Sequence, residues 1–141
     1  MEQFFALKLK QLLIKHEGYR TTGYLDNRGN ITAGIGHNLS CNEISPDIIA
    51  RWYDDDITYI HDKLLLQFQW FDSLDNVRKI AVLDLAFNVG FKNFCEFYKM
   101  ISEIENKDYA AAAYELLDSD YAKQVPERAA DLATILQKGV I

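Results

Sequence analysis

One stretch of this chain departs from an otherwise helical pattern, and it limits the folds open to everything around it. From Tyr24 to Gly36 the apolar spacing falls to two. Tyr24-Leu25-Asp26 is followed by the turn residues Asn27-Arg28-Gly29-Asn30 and then by Ile31-Thr32-Ala33-Gly34-Ile35-Gly36, an order of strand, turn and strand that predicts a β-hairpin. On the second strand Ile31, Ala33 and Ile35 alternate with Thr32, Gly34 and Gly36. One face therefore carries apolar side chains, and the other is nearly bare backbone that another group can approach closely.

The flanks read as helix. Phe5, Leu9, Leu12, Leu13 and His16 share one face of a helix over about residues 3–17, which Gly18 ends. Ser45 and Pro46 are a cap and first-position pair opening a long helix, whose stripe Ile49, Trp52, Tyr53, Ile57, Ile60 and Leu64 runs to about Leu66. After the aromatic break at Phe68 to Phe71, the segment from Asp72 or Ser73 to Val89 is apolar on most sides and predicts a central buried helix, closed by Gly90. Three more helices are expected at about 93–105, 108–118 and 126–138, the last between Pro126 and Gly139. The fold class is α+β and mostly helical. A small hairpin lobe spans about residues 17–60. A larger helical lobe takes about residues 61–141 plus the N-terminal helix, the long helix joining the two within a single domain.

Composition narrows the function. A chain of 141 residues, 49% hydrophobic, can form a core without a disulfide framework, so Cys41 and Cys95 are expected as free thiols. With 15 Lys+Arg against 21 Asp+Glu the net charge is −6, the wrong sign for a protein whose affinity rests on nucleic-acid phosphates. The N-terminal apolar stretch Phe4 to Ile14 is interrupted by Lys8, Lys10 and Gln11, which argues against a membrane span or a signal-peptide core. His16, His37 and His61 show no metal-ligand spacing, and no cofactor is expected.

The chemistry concentrates around the hairpin. Glu17 stands at a helix C-terminus, where the negative end of the helix dipole and apolar flanks disfavour its anion. Asp26 lies at a strand end beside a polar turn, a wetter place where a carboxylate stays ionised. Thr32, six residues on, offers a hydroxyl that can orient a water. One carboxyl able to give a proton and a second kept ionised is the pair that glycoside hydrolysis commonly uses.

These residues resemble the signature of the phage-type, T4-like lysozymes, muramidases that cleave peptidoglycan. That signature is a Glu-Gly pair, an Asp nine residues later, a Thr six after that, and Gly-x-Gly-His. Here it stands as Glu17-Gly18, Asp26, Thr32 and Gly34-Ile35-Gly36-His37, with seven positions matched at every spacing. The likeness continues through Asp72 to Asp75, Phe87 to Gly90 and Gln124 to Ala129, so it covers nearly the whole chain.

The resemblance implies a two-lobed lysozyme-like fold with Glu17 as general acid, Asp26 as the carboxylate supporting the attacking water, and Thr32 as that water's second anchor. It implies substrate contacts at Asn38, Phe87, Asn88 and Arg128, and no metal; Tyr24 either lines the cleft as a further substrate contact or covers the hairpin. The implied reaction is hydrolysis, with inversion, of the β-1,4 bond between N-acetylmuramic acid and N-acetylglucosamine. The implied setting is phage-induced lysis: a monomer made in the host cytoplasm without a signal peptide, released by a holin, and acting on peptidoglycan glycan strands in the periplasm. The chain departs from larger members in lacking a short helix between hairpin and long helix, and in holding Phe97 and Glu115 at two further family contact positions. The alternatives are a lytic transglycosylase, which needs one acid and no water-positioning pair, and a catalytically silent wall-binding or tail-structural module.

Overall fold

A computed structural model describes residues 3–141. Twelve elements follow in chain order: α1 (Gln3–Glu17), β1 (Arg20–Leu25), β2 (Ile31–Gly34), β3 (His37–Asn38), α2 (Pro46–Gln67), α3 (Gln69–Ser73), α4 (Asn76–Val89), α5 (Phe91–Phe94), α6 (Tyr98–Glu105), α7 (Tyr109–Leu117), α8 (Asp120–Gln124) and α9 (Pro126–Lys138). The class is α+β and mostly helical, 68% of it helix with one small antiparallel sheet, as expected. The chain forms two compact units, divided inside α2 between Ala50 and Arg51.

In the first unit, β1, β2 and β3 form an antiparallel sheet in that order. The hairpin is thus one strand larger than its sequence predicts. Positive φ at Gly34 (64°) and Gly36 (66°) turns the chain back, so that His37 pairs with Ala33 and Asn38 with Thr32. A strand of two residues is too short to show a period of its own. β1 also starts earlier than expected and bulges between Arg20 and Tyr24, which face Gly34 and Thr32.

The second unit holds the core. Leu64, Phe71, Leu85, Phe94, Met100, Ile104, Leu116 and Leu136 are fully buried or nearly so. α7 packs on α6 and α9, and α4 on α9. The buried alanines Ala81, Ala86, Ala112, Ala113, Ala129 and Ala133 supply the small side chains that close helix packing needs.

Three helical expectations are corrected. The segment from residues 72 or 73 to 89 is not one helix buried on most sides. α3 takes the aromatic run, Leu74 is extended, and α4 begins after Asp75, whose side chain accepts from the Arg78 N–H at 3.0 Å. Ala81, Val82, Leu85 and Ala86 face the core, while Ile80 and Phe87 are exposed on the opposite side. The stretch 93–105 is broken over Cys95 to Phe97 into α5 and α6, and Ser119 caps a further short helix, α8.

Arg78 ties the start of α4 to the end of α9. Its Nε donates to the Leu136 carbonyl at 2.6 Å, Nη2 to the Gln137 carbonyl at 3.0 Å and Nη1 to Asp75 Oδ2 at 2.9 Å. The guanidinium also stacks 3.8 Å from the Tyr109 ring centroid. The last carbonyls of a helix lack partners within it, and here one arginine serves those of α9. Gly139, at φ 67°, leaves room for it, since a Cβ there would come within 2.7 Å of Nη1. Arg78→Met is expected to destabilise the protein by about 2–4 kcal/mol, because charge-assisted bonds from a largely covered side chain are lost and two carbonyls are orphaned. An unchanged urea midpoint would show that solvent replaces these bonds without cost.

Candidate active site

Glu17 is the last residue of α1. The helix stops there because Gly18 takes φ 83° while its N–H still donates to the Ile14 carbonyl at 2.9 Å. The Glu17 side chain lies against the turn between β2 and β3. A Cβ placed on Gly36 would stand 2.9 Å from Glu17 Oε2 and 3.0 Å from both its Cβ and Cγ. The bare backbone that the glycine spacing predicts thus receives the carboxyl side chain.

Asp26 and Thr32 meet through Asn30. Asp26 Oδ1 accepts from the Arg28 N–H at 2.8 Å and from the Asn30 N–H at 2.9 Å, closing the turn of the hairpin. The Asn30 carbonyl in turn accepts from the Asp26 N–H at 2.9 Å and, more weakly, from Thr32 Oγ1 at 3.5 Å. The N–H of Asn30, followed by that of Arg28, holds the Asp26 carboxyl below its ordinary range. Asp26 is therefore both the turn-initiating residue its type favours and a carboxylate kept ionised.

Thr32 is 4% exposed, the only buried polar residue among those described. It sits in the central strand opposite Tyr24 on β1 and Asn38 on β3. Directly opposed residues of antiparallel strands share a face, so Tyr24, Thr32 and Asn38 form a row across the sheet. Arg20 covers the Tyr24 ring at 4.6 Å. Asn38 Oδ1 accepts from the Ser40 and Cys41 N–H groups at 2.9 and 3.1 Å, fixing the end of the row.

The second unit separates the remaining expected contacts. Phe87 and Arg128 line one apolar cavity of about 350 Å³ with Tyr53, Ile57, Leu83 and Asp84. Arg128 Nε donates to Asp84 Oδ1 at 2.8 Å, and that bond raises the guanidinium's affinity for its proton further. Asn88 instead lines a different depression of about 660 Å³, beside Phe97, Ser119 and Tyr121. Its Oδ1 accepts from the Tyr121 hydroxyl at 2.9 Å, and burial pushes that phenol up. Neighbouring positions on a helix point about 100° apart, since one turn takes 3.6 residues, which is why Phe87 and Asn88 part.

Sequence reasoning overlooks Asp84, Asn30 and Tyr121. Asp84 had a signal, as the lone charge in the apolar run Ile80 to Phe87. Asn30 and Tyr121 had none, because one acts through its backbone and the other across 33 residues. Among the described residues, no group of three His, Cys, Asp or Glu side chains is placed to hold a metal.

Residues 14–132 match a family model described as phage lysozyme. Two relatives, both from Dictyostelium discoideum, align along almost their whole length. Probable T4-type lysozyme 2 is 28% identical and probable T4-type lysozyme 1 is 31% identical, each alignment covering 94% of this chain and 95% of the relative.

Proposed function

Since this chain belongs to the phage lysozyme family and is a muramidase-like glycoside hydrolase by that membership, we propose that it hydrolyses the β-1,4 bond between N-acetylmuramic acid and N-acetylglucosamine in bacterial peptidoglycan, with inversion. Glu17 donates its proton to the departing glycosidic oxygen as the bond breaks. Asp26 takes a proton from the attacking water, Thr32 Oγ1 orients that water, and the sugar passes through an oxocarbenium-like state. Tyr24 and Asn38, flanking Thr32 in its row, are the glycan contacts of the first unit; in the second unit Phe87 and Arg128 contact the glycan from one cavity and Asn88 from a depression of its own. No cofactor takes part.

The observation that carries this reading is the setting of Asp26 and Thr32. Two backbone N–H groups keep the carboxylate ionised through Oδ1. The neighbouring hydroxyl makes only a long 3.5 Å bond within the protein, which leaves it capacity for a water. The Asp26 bonds also close the turn, but a transglycosylase has no step that uses an ionised carboxylate and a hydroxyl to hold a water. The stereochemistry of the product tests the proposal. Attack by a held water from the face opposite the leaving oxygen gives the α-anomer first, and proton NMR of a defined oligosaccharide in the first minutes, before mutarotation, reads it. An initial β-anomer would recast Asp26 as a nucleophile, and a 1,6-anhydro product would make the enzyme a transglycosylase.

In biological setting, we infer a monomeric endolysin that reaches the periplasm through a holin and lyses the host of a phage. Lysis of bacteria expressing it only when a holin is co-expressed is the expected result. A second setting, a lysozyme working outside any phage, is favoured by the source of the two relatives. Lysis that never depends on a holin would support it.

Charge makes a further prediction. A protein of net charge −6 is repelled by an anionic cell envelope, and salt screens that repulsion over a Debye length of about 8 Å at physiological strength. The lytic rate on outer-membrane-stripped cells is expected to rise, or at least hold, from very low to moderate salt. A steep fall would reveal attraction through a local basic patch.

A further inference from the structure

We propose that Gly36 is a positioning residue for the proton donor: its missing side chain is the space in which the Glu17 carboxyl is held. The inference rests on the reading of Glu17 as general acid, and it adds what keeps that acid in place.

Two independent features of Gly36 support it. Its φ of 66° is a backbone conformation that L side chains rarely adopt. A glycine needed for φ alone would leave open space where a Cβ would stand, as Gly18, Gly29 and Gly34 do, each at positive φ with nothing within 4 Å of that point. At Gly36 the same point is crowded, and every one of the three nearest atoms belongs to Glu17: Oε2 at 2.9 Å, Cβ at 3.0 Å and Cγ at 3.0 Å. A methyl there could be accommodated only if the Glu17 side chain swung away or the turn between β2 and β3 shifted. The His37–Ala33 and Asn38–Thr32 pairings tie that turn to the strand carrying Thr32, which leaves the carboxyl as the part that yields.

The expected consequence is kinetic and selective. Displacing a reacting group by about 1 Å can cost on the order of a hundredfold in rate. Gly36→Ala should therefore lower kcat by roughly ten- to a hundredfold, with KM changing less than threefold, since the groups that bind the glycan are untouched. A rise in KM with kcat preserved would mean that the methyl obstructs substrate and would overturn the proposal, as would wild-type values of both.

Two measurements stand apart from catalysis. In the wild-type protein, nuclear Overhauser contacts are expected from the Gly36 α-protons to the Glu17 β- and γ-protons, and their absence would overturn the packing. In a stability cycle, Gly36→Ala should cost less in a Glu17→Ala background than alone, whereas strict additivity would show that the methyl and the side chain do not meet. If Glu17→Gln kept full activity, the reading of Glu17 as acid would fall while these two measurements still judged the contact.

Discussion

Glu17→Gln is expected to reduce hydrolysis to the background of the assay while leaving the protein folded. The amide keeps the shape of the carboxyl and places the same number of atoms against Gly36, but it has no acidic proton to give to the departing oxygen. General acid catalysis is commonly worth about 10²–10⁴-fold, and with a sugar alkoxide as leaving group its loss leaves no efficient route. Glu17 is an exposed residue at a helix end, so thermal unfolding should hardly change. Muropeptide release from purified sacculi measures the effect, and retention of more than a few per cent of the wild-type rate would remove Glu17 from the mechanism.

Asp26→Asn separates two roles that the structure combines in one side chain. An asparagine Oδ1 can accept from the Arg28 and Asn30 N–H groups just as the aspartate does, so the turn is preserved. It carries no negative charge and cannot take the proton of the attacking water. Activity is expected to fall by about 10²–10⁴-fold with little change in stability. If Asp26 served the turn alone, the variant would work normally. The pH dependence follows with its sign. Catalysis needs Asp26 ionised, and the turn's N–H groups hold its folded-state pKa below the ordinary 3.8. Its loss of activity on acidification therefore comes as pH falls through that lowered value, and the rate is insensitive to Asp26 above it. By the same linkage, its bonds stabilise the fold above the unfolded pKa and lose that contribution as pH falls through the folded one. An acid limb that appears well above 3.8 and vanishes in Asp26→Asn would contradict this assignment.

The sequence by itself determined the parts whose geometry is local. α1 ends at Glu17 because Gly18 can take a positive φ. Asp26 opens a tight turn because its own carboxylate reaches N–H groups two and four residues on. Thr32 falls in the middle of a strand of period two. All three lie within sixteen positions of one another, where backbone sterics and short hydrogen bonds fix the outcome, and so both their types and their spacing could be read from the chain.

Tertiary structure decided what local pattern cannot carry. Periodicity marks the apolar residues of α4 but not which of them finds a partner. Burial selected Ala81, Val82, Leu85 and Ala86, and left Ile80 and Phe87 facing out. Asp84 meets Arg128 across 44 positions and Arg78 reaches the carbonyls of α9 across 58 and 59. Gly36, a plain turn glycine in sequence, receives the Glu17 side chain from a different element. Such pairings depend on which surfaces exclude water together once the chain has folded, a free energy that belongs to the packed whole rather than to any one segment.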